Sequence, residues 1–257
     1  MSEPGSEAGF GDRWVVVSGA SSGIGRATAV EVVRQGGRAV LLGRRREALD
    51  KTAALAGPAD RTEVVEIDLA ALDGIVPAVT GLAKRLGPLY GLFHAAGASK
   101  LSPLATTTPE RLRTLMDLNL LAGLELTRAL TRRDVLAPAG GSVVFVASVA
   151  AHVGAAGQTG YSATKGAVVA AVRSMAVELA PRKTRVNCLS PGVVESEMTS
   201  ATAAQLGAEQ WQRIVDRHPL GIGAPEDVAR AAVFLLHPAN RWITGVDWAV
   251  DGGYTVV

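Results

Sequence analysis

From Arg13 onward, short runs rich in Val, Ile and Leu alternate with longer amphipathic segments, and this alternation limits the fold more than any other feature of the chain. The runs are RWVVVSG, RAVLLG, EVVEID, LYGLFHAA, SVVFVAS, TRVNCLS and ITGVDWAV. Runs apolar on both faces suit strands covered on both sides. Helical patterns lie between them at residues 23–35, 46–55, 72–86, 109–133, 155–181 and 225–236. This order predicts a single-domain α/β fold: a doubly wound parallel sheet of about seven strands, with right-handed crossovers and helices on both faces. Ligands of such sheets bind beyond the carboxyl ends of the strands, so chemistry is sought there.

The first strand runs directly into SGASSGIGRATAVEVVRQGG. Gly19, Gly23 and Gly25 are spaced GxxxGxG at the turn, where the missing side chains let backbone N–H groups and a helix N-terminus approach a pyrophosphate. An ordinary glycine-rich turn is the alternative, and the placement between strand and amphipathic helix favours a dinucleotide. The second strand ends in LLGRRREAL. Where an acid would hold a ribose 2′-hydroxyl stands Gly43, followed by Arg44 and Arg45. Guanidinium groups there neutralise a 2′-phosphate that an acid repels, so NADP(H) is expected over NAD(H), with Arg44 foremost. Arg45 and Arg46 also read as a solvated helix start. Asp68 either accepts from the adenine amino group or caps the helix that begins near Ala70.

Within GAAGQTGYSATKGAVVAAVRSMAVELAP, residues 154–181, Tyr161 and Lys165 are four apart in a helical pattern, so phenol and ammonium share a face. A positive charge about 4 to 5 Å away at an effective dielectric near 20 favours the phenolate by roughly 3 to 4 kcal/mol, lowering the tyrosine pKa by about two to three. Tyr161 would then exchange a proton near neutrality. A surface tyrosine above a solvated lysine is the alternative.

Composition narrows the function. The charge is nearly balanced, with 26 basic and 24 acidic side chains in 257 residues and a net of +2, which gives no case for nucleic acid. Cys188 is the single cysteine, so no internal disulfide is possible, and its flanks read as a buried strand end. The most apolar stretch, residues 166–180, carries Arg173 and Glu178, and no transmembrane span is expected. Residues 1–12, MSEPGSEAGFGD, read as a disordered lead-in rather than a signal peptide, leaving 13–257 as the domain of a cytoplasmic protein. His94, His152, His218 and His237 form no pair with helical metal spacing, so no catalytic metal is expected.

The motifs SGASSGIG, HAAG, LNLLAG, YSATK, SPG and VDGGY, in this order from Arg13 to Tyr254, resemble those of the short-chain dehydrogenase/reductase family. The resemblance implies a Rossmann-type fold with Ser148, Tyr161 and Lys165 as catalytic residues and Asn119 as the fourth member. Ser148 would hold the substrate oxygen, though a serine capping the next segment is the rival reading. Tyr161 would protonate the carbonyl oxygen, and Lys165 would lower its pKa and bind the nicotinamide ribose. Asn119 lies inside an expected helix, where asparagine is a poor former. The family has it kink the helix and hold a water that joins the lysine to solvent; a buried structural amide is the rival.

The resemblance further implies cofactor contacts from Gly19, Ser21, Ser22, Gly23, Ile24, Gly25, Arg44, Arg45, Asp68, Leu69, Ala96, Gly97, Tyr161, Lys165, Pro191, Gly192, Val194 and Ser196. Ser196 stands where the family tends to have a threonine that bonds the carboxamide. His94 and Ala95 replace the two asparagines common in the family before the Ala96–Gly97 pair; His94 either faces the cofactor or packs at the strand end. Trp211 lies in a segment, 197–218, expected to close over substrate, with a core tryptophan as the alternative. The residues after Gly97 and Ser148 are small or apolar, implying a neutral, hydrophobic substrate portion.

Within the family the chain most resembles 3-oxoacyl thioester and polyketide ketoreductases, implying NADPH-dependent reduction of a ketone, with substrate carried on an acyl carrier protein or CoA. Arg182, Lys183, Arg132 and Arg133 could dock an acidic carrier, or simply complement helix dipoles. The alternatives are an NADP-linked enzyme of a free small alcohol, steroid or sugar ketone, and a cofactor-sensing protein without turnover. Enoyl reduction is disfavoured because that branch spaces its tyrosine and lysine more widely. A homotetramer is implied, through the helices that contain Asn119 and Tyr161, with a dimer as runner-up.

Overall fold

The computed structural model describes residues 9–99 and 101–257. The first eight residues of the expected lead-in lie outside the described residues. The fold begins before the expected boundary at Arg13: Phe10 is fully buried, its N–H donates to Gln35 O at 2.9 Å, and its ring meets the edge of His237 at 5.4 Å. A lone aromatic in a polar stretch is enough to tie residues 9–12 to the core.

The strands are β1 (Trp14–Ser18), β2 (Arg38–Gly43), β3 (Thr62–Glu66), β4 (Leu89–His94), β5 (Gly141–Val146), β6 (Thr184–Pro191) and β7 (Asp247–Val250). They form one parallel sheet in the order β3-β2-β1-β4-β5-β6-β7. The order reverses direction between β1 and β4, which opens a crevice beyond their carboxyl ends. The helices are α1 (Gly23–Arg34), α2 (Arg46–Ala56), α3 (Ile75–Leu86), α4 (Pro109–Met116), α5 (Ala122–Leu130), α6 (Thr159–Leu179), α7 (Glu197–Leu206), α8 (Ala208–Asp216) and α9 (Pro225–Leu236). Alternate residues of the central strands feed two cores: Val15 and Val17 pack with α1 and α9, whereas Val16 and Leu92 pack with α3, α5 and α6. The two-faced apolar runs are thereby explained.

Three segments depart from the sequence reading. The expected helix 109–133 is interrupted by a π turn at Asp117–Leu121, centred on Asn119. The helix expected from residue 155 starts at Thr159, and only Asp247–Val250 of ITGVDWAV is strand, because Gly245 turns the chain at φ +76°. The segment 197–218 forms the helix pair α7 and α8.

One buried cation closes the far end of α9. Arg185 on β6 is 8% exposed and donates to Leu235 O at 2.5 Å, Leu236 O at 3.2 Å and His237 O at 3.1 Å. The last carbonyls of a helix have no partner within it, and a positive charge there opposes the dipole. Tyr90 adds a hydrogen bond to Leu236 O at 2.9 Å. Replacing Arg185 with Met leaves buried carbonyls without donors and should cost about 2 to 4 kcal/mol in urea unfolding. An unchanged midpoint would mean that other donors take its place.

Candidate active site

The glycine turn forms one wall of the crevice, whose volume is about 770 Å³. Gly19 has φ +69°, and a methyl group on it would lie 2.8 Å from Ala96 N. One on Gly25 would lie 2.3 Å from Gly19 O, so the first turn of α1 is pressed onto the end of β1 as only glycine permits. Ser22, at the N-cap, makes no side-chain cap bond, which leaves the first N–H groups of α1 for an anion. Ser21, Ser22, Gly23 and Ile24 line the crevice with them.

At the end of β2, a Cβ on Gly43 would lie 3.3 Å from Leu49 Cδ2, so a side chain there would have to displace Leu49 slightly. Arg44 is exposed and lines the crevice. Arg45 lines it too, donating to Ser21 Oγ at 3.4 Å and Ser22 Oγ at 3.3 Å and pairing with Glu197 Oε2 at 3.0 Å. Arg46 turns away to Asp50. Asp68 lines the crevice beside Leu69, and its carboxylate accepts from Ala70 N at 3.0 Å. The local turn bond is therefore made, while the helix itself begins later, at Ile75.

His94 is a packed strand-end histidine and does not line the crevice: it is 1% exposed and lies edge-on to Phe145 at 5.5 Å. Burial, reinforced by the Lys165 charge, pushes its pKa down to about 3, so the ring stays neutral. Ser18 Oγ contacts His94 Nδ1 at 2.9 Å and accepts from Ala96 N at 3.1 Å, fixing the turn that brings Ala96 and Gly97 to the crevice. These bonds stand where the two asparagines of the family pattern are missing. Beyond β6, Pro191, Gly192, Val194 and Ser196 line the same space. The Ser196 hydroxyl caps α7, accepting from Thr199 N at 3.0 Å and contacting Thr199 Oγ1 at 2.9 Å.

Ser148, Tyr161 and Lys165 line the same crevice as the glycine turn. Ser148 Oγ accepts from Ala150 N at 3.1 Å, so it caps the short turn after β5 and also faces the crevice. Lys165 is 5% exposed, donates to Val146 O at 2.7 Å, and its Nζ lies 5.6 Å from the centre of the Tyr161 ring. Burial lowers its pKa to about 8. The expected acidification of Tyr161 is not found: burial raises its pKa, and hydrogen bonding from Ser148 opposes this. The ammonium is committed to a strand carbonyl rather than to the phenol, and burial disfavours the phenolate.

Asn119 is fully buried and lies outside the crevice lining. Its Oδ1 accepts from Ala98 N at 2.8 Å, and Nδ2 donates to Ala98 O and Thr164 Oγ1, each at 3.0 Å. The amide thus ties the π turn to the loop after β4 and to α6. A methyl group on Gly97 would lie 3.1 Å from Asn119 Oδ1, a tight contact, and 3.7 Å from Lys165 Nζ, an ordinary one.

Trp211 lines the crevice, as do Thr199, Arg217 and Tyr254, which the sequence reading did not single out. These residues come from three segments distant from the glycine turn, and no short motif joins them. His218 is buried against Tyr254 and accepts from Val193 N at 3.1 Å. Cys188 is buried as expected. Among the described residues, no three His, Cys, Asp or Glu side chains are arranged to hold a metal ion. No described helix is long and apolar enough to cross a membrane.

A family model described as Enoyl-(Acyl carrier protein) reductase matches residues 19–255. A 3-oxoacyl-[acyl-carrier-protein] reductase of Chlamydia pneumoniae is 32% identical, covering 94% of this chain and 96% of its own. An NAD-dependent glycerol dehydrogenase of Listeria innocua is 34% identical over 95% of this chain and 94% of its own. Among solved structures, a protein assigned as an NAD(P)-dependent gluconate 5-dehydrogenase from Beutenbergia cavernae, with NADP at low occupancy, superposes with a TM-score of 0.89. It is 34% identical and covers 98% of this chain and all of its own length, 100%.

The depressed pKa of Lys165 has a measurable sign. Its unfolded value is near 10.5 and its folded value about 8, so above pH 8 the unfolded chain binds more protons and stability rises with pH. Urea unfolding from pH 8 to 9 should show a gain of about 1 kcal/mol that is absent in Lys165→Met. Higher pH is less informative, because burial raises the Cys188 and Tyr161 pKa values and their contributions oppose the gain. A flat wild-type profile from pH 8 to 9 would show that the amine is not desolvated.

Proposed function

The chain belongs to the short-chain dehydrogenase/reductase family, and on that premise we propose that it reduces a ketone to a secondary alcohol with NADP(H). The observation that carries this reading is that Ser148, Tyr161 and Lys165 line the same crevice as the glycine turn. A nicotinamide dinucleotide fits the residues present: a glycine cradle that side chains would fill, the open first turn of α1 for the pyrophosphate, and two arginines at the end of β2. When bound, the cofactor supplies the hydride that reaches the carbonyl carbon. Ser148 holds the carbonyl oxygen, and Tyr161 gives that oxygen a proton. A phenol whose pKa is raised keeps its proton at neutral pH, which favours the reductive direction. Lys165 keeps positive charge near the phenol as charge develops on it, and Asn119 positions the backbone around it.

The substrate proposed first is a 3-oxoacyl or polyketide-type ketone, borne on CoA or an acyl carrier protein, in keeping with the Chlamydia pneumoniae relative. The four-residue spacing of Tyr161 and Lys165 supports carbonyl rather than enoyl reduction. A free small ketone is the second reading, in line with the names of the glycerol and gluconate relatives. One observation favours it: Arg182 is taken up by Thr131 O and Arg132 by Asp134, which leaves Lys183 and Arg133 for a carrier. Turnover of a CoA-bound 3-oxoacyl substrate against its free ketone separates the two. A homotetramer through α4, α5 and α6 accords with exposed Val177 on α6.

Tyr161→Phe should lower kcat by at least about 10³-fold while leaving NADPH affinity nearly intact, as titrated by fluorescence, because only the proton donor is lost. Arg44→Asp should weaken NADPH far more than NADH. Equal weakening of both would show that Arg44 does not read the 2′-phosphate.

A further inference from the structure

The loop after Ser148, the later part of α7, α8 and the C-terminal turn give the crevice a largely apolar lining that includes Val153, Leu206, Trp211, Ile214 and Tyr254. Arg217 is the charged side chain among them. Its guanidinium carbon lies 4.2 Å from the centre of the Tyr254 ring. Among the described residues no carboxylate is within ion-pair distance of it, and its side chain donates no hydrogen bond. Arg217 follows the last residue of α8, where an arginine often serves the helix carbonyls, yet only its backbone N–H bonds back, to Val215 O.

The contact with Tyr254 gives this cation a defined place. Tyr254 is 8% exposed and lies 4.6 Å from the His218 ring. His218 is in turn locked: Nδ1 contacts Ile214 O at 2.7 Å, and Nε2 accepts from Val193 N at 3.1 Å, so Nδ1 is the donor. Arg217 is therefore tied through two rings to the backbone that follows Pro191 and Gly192. With its carbon over the Tyr254 ring and no side-chain hydrogen bond made among the described residues, the guanidinium has N–H donors left for a planar, bidentate anion.

We propose that the substrate is a free keto acid, whose carboxylate is received by Arg217 while its carbonyl lies at Ser148 and Tyr161. The proposal rests on the ketone-reductase reading above, builds on its second, free-ketone substrate in place of the carrier-borne one, and replaces the neutral substrate portion expected from the flanking loops. The same donors would fit the phosphate of a pantetheine arm, so the test includes that source.

Initial rates with NADPH would be measured for 4-oxopentanoate, 5-oxohexanoate and 4-oxocyclohexanecarboxylate, each against its methyl ester, and for acetoacetyl-CoA and acetoacetyl-pantetheine. Wild type should prefer at least one acid over its ester. Arg217→Met should lower that acid-to-ester ratio of kcat/KM by about 10- to 100-fold, through KM rather than kcat, and Arg217→Lys should restore part of it. Unchanged NADPH affinity in both variants would show that the fold is kept. Turnover of esters with no preference for any acid, or a ratio indifferent to Arg217, overturns the carboxylate site and leaves the reductase reading standing. Dependence on Arg217 confined to acetoacetyl-CoA assigns the cation to phosphate and likewise overturns the proposal. Absence of turnover with every ketone sinks both readings.

Discussion

Parallel pairing is the constraint from which the site follows. Each connection in this sheet must carry the chain back to the starting edge, so all seven strands end on the same side. The chain first builds outward from β1 to β3 and then returns to β1's other flank with β4, and the loops leaving β1 and β4 part in opposite directions. The gap between them is a product of connectivity before any side chain is chosen. The glycines and the Ser148–Tyr161–Lys165 wall occupy a space that the backbone had already opened.

Holding the loop after β4 against α6 falls to Asn119. Its amide uses both N–H groups and its oxygen on protein partners, linking the loop after β4 to α6 across the π turn. An α-helical continuation from α4 to α5 would shift the register of every later residue, and the wider turn absorbs that shift. A poor helix former at that point is consistent with the gain, since a buried and fully bonded amide outweighs a few tenths of a kcal/mol of propensity.

Much of this was readable from residue order alone. Strands apolar on both faces, the glycine spacing and the Tyr161/Lys165 pair are local patterns, and local patterns survive in a sequence. Other features depend on partners far along the chain. The direction of Lys165 is set by Val146 O, nineteen residues earlier, and no spacing rule reports it. Ser148 and Ser196 each cap a turn and also line the crevice, a double placement that no local pattern reports. Phe10 was hidden by the composition of its neighbours, and Arg217, His218 and Tyr254 meet only through tertiary contacts.

Cys188 lies on β6 between β5 and β7, fully buried, with its thiol pushed up by burial and by the neighbouring Asp247. The reactive thiolate is thus suppressed while the sheet is intact. A thiol-directed alkylating reagent gains access only when β6 loses its neighbours. The lone thiol is therefore an intrinsic clock for breathing of the strand that carries the Pro191–Gly192 turn, read by mass spectrometry without adding a label site.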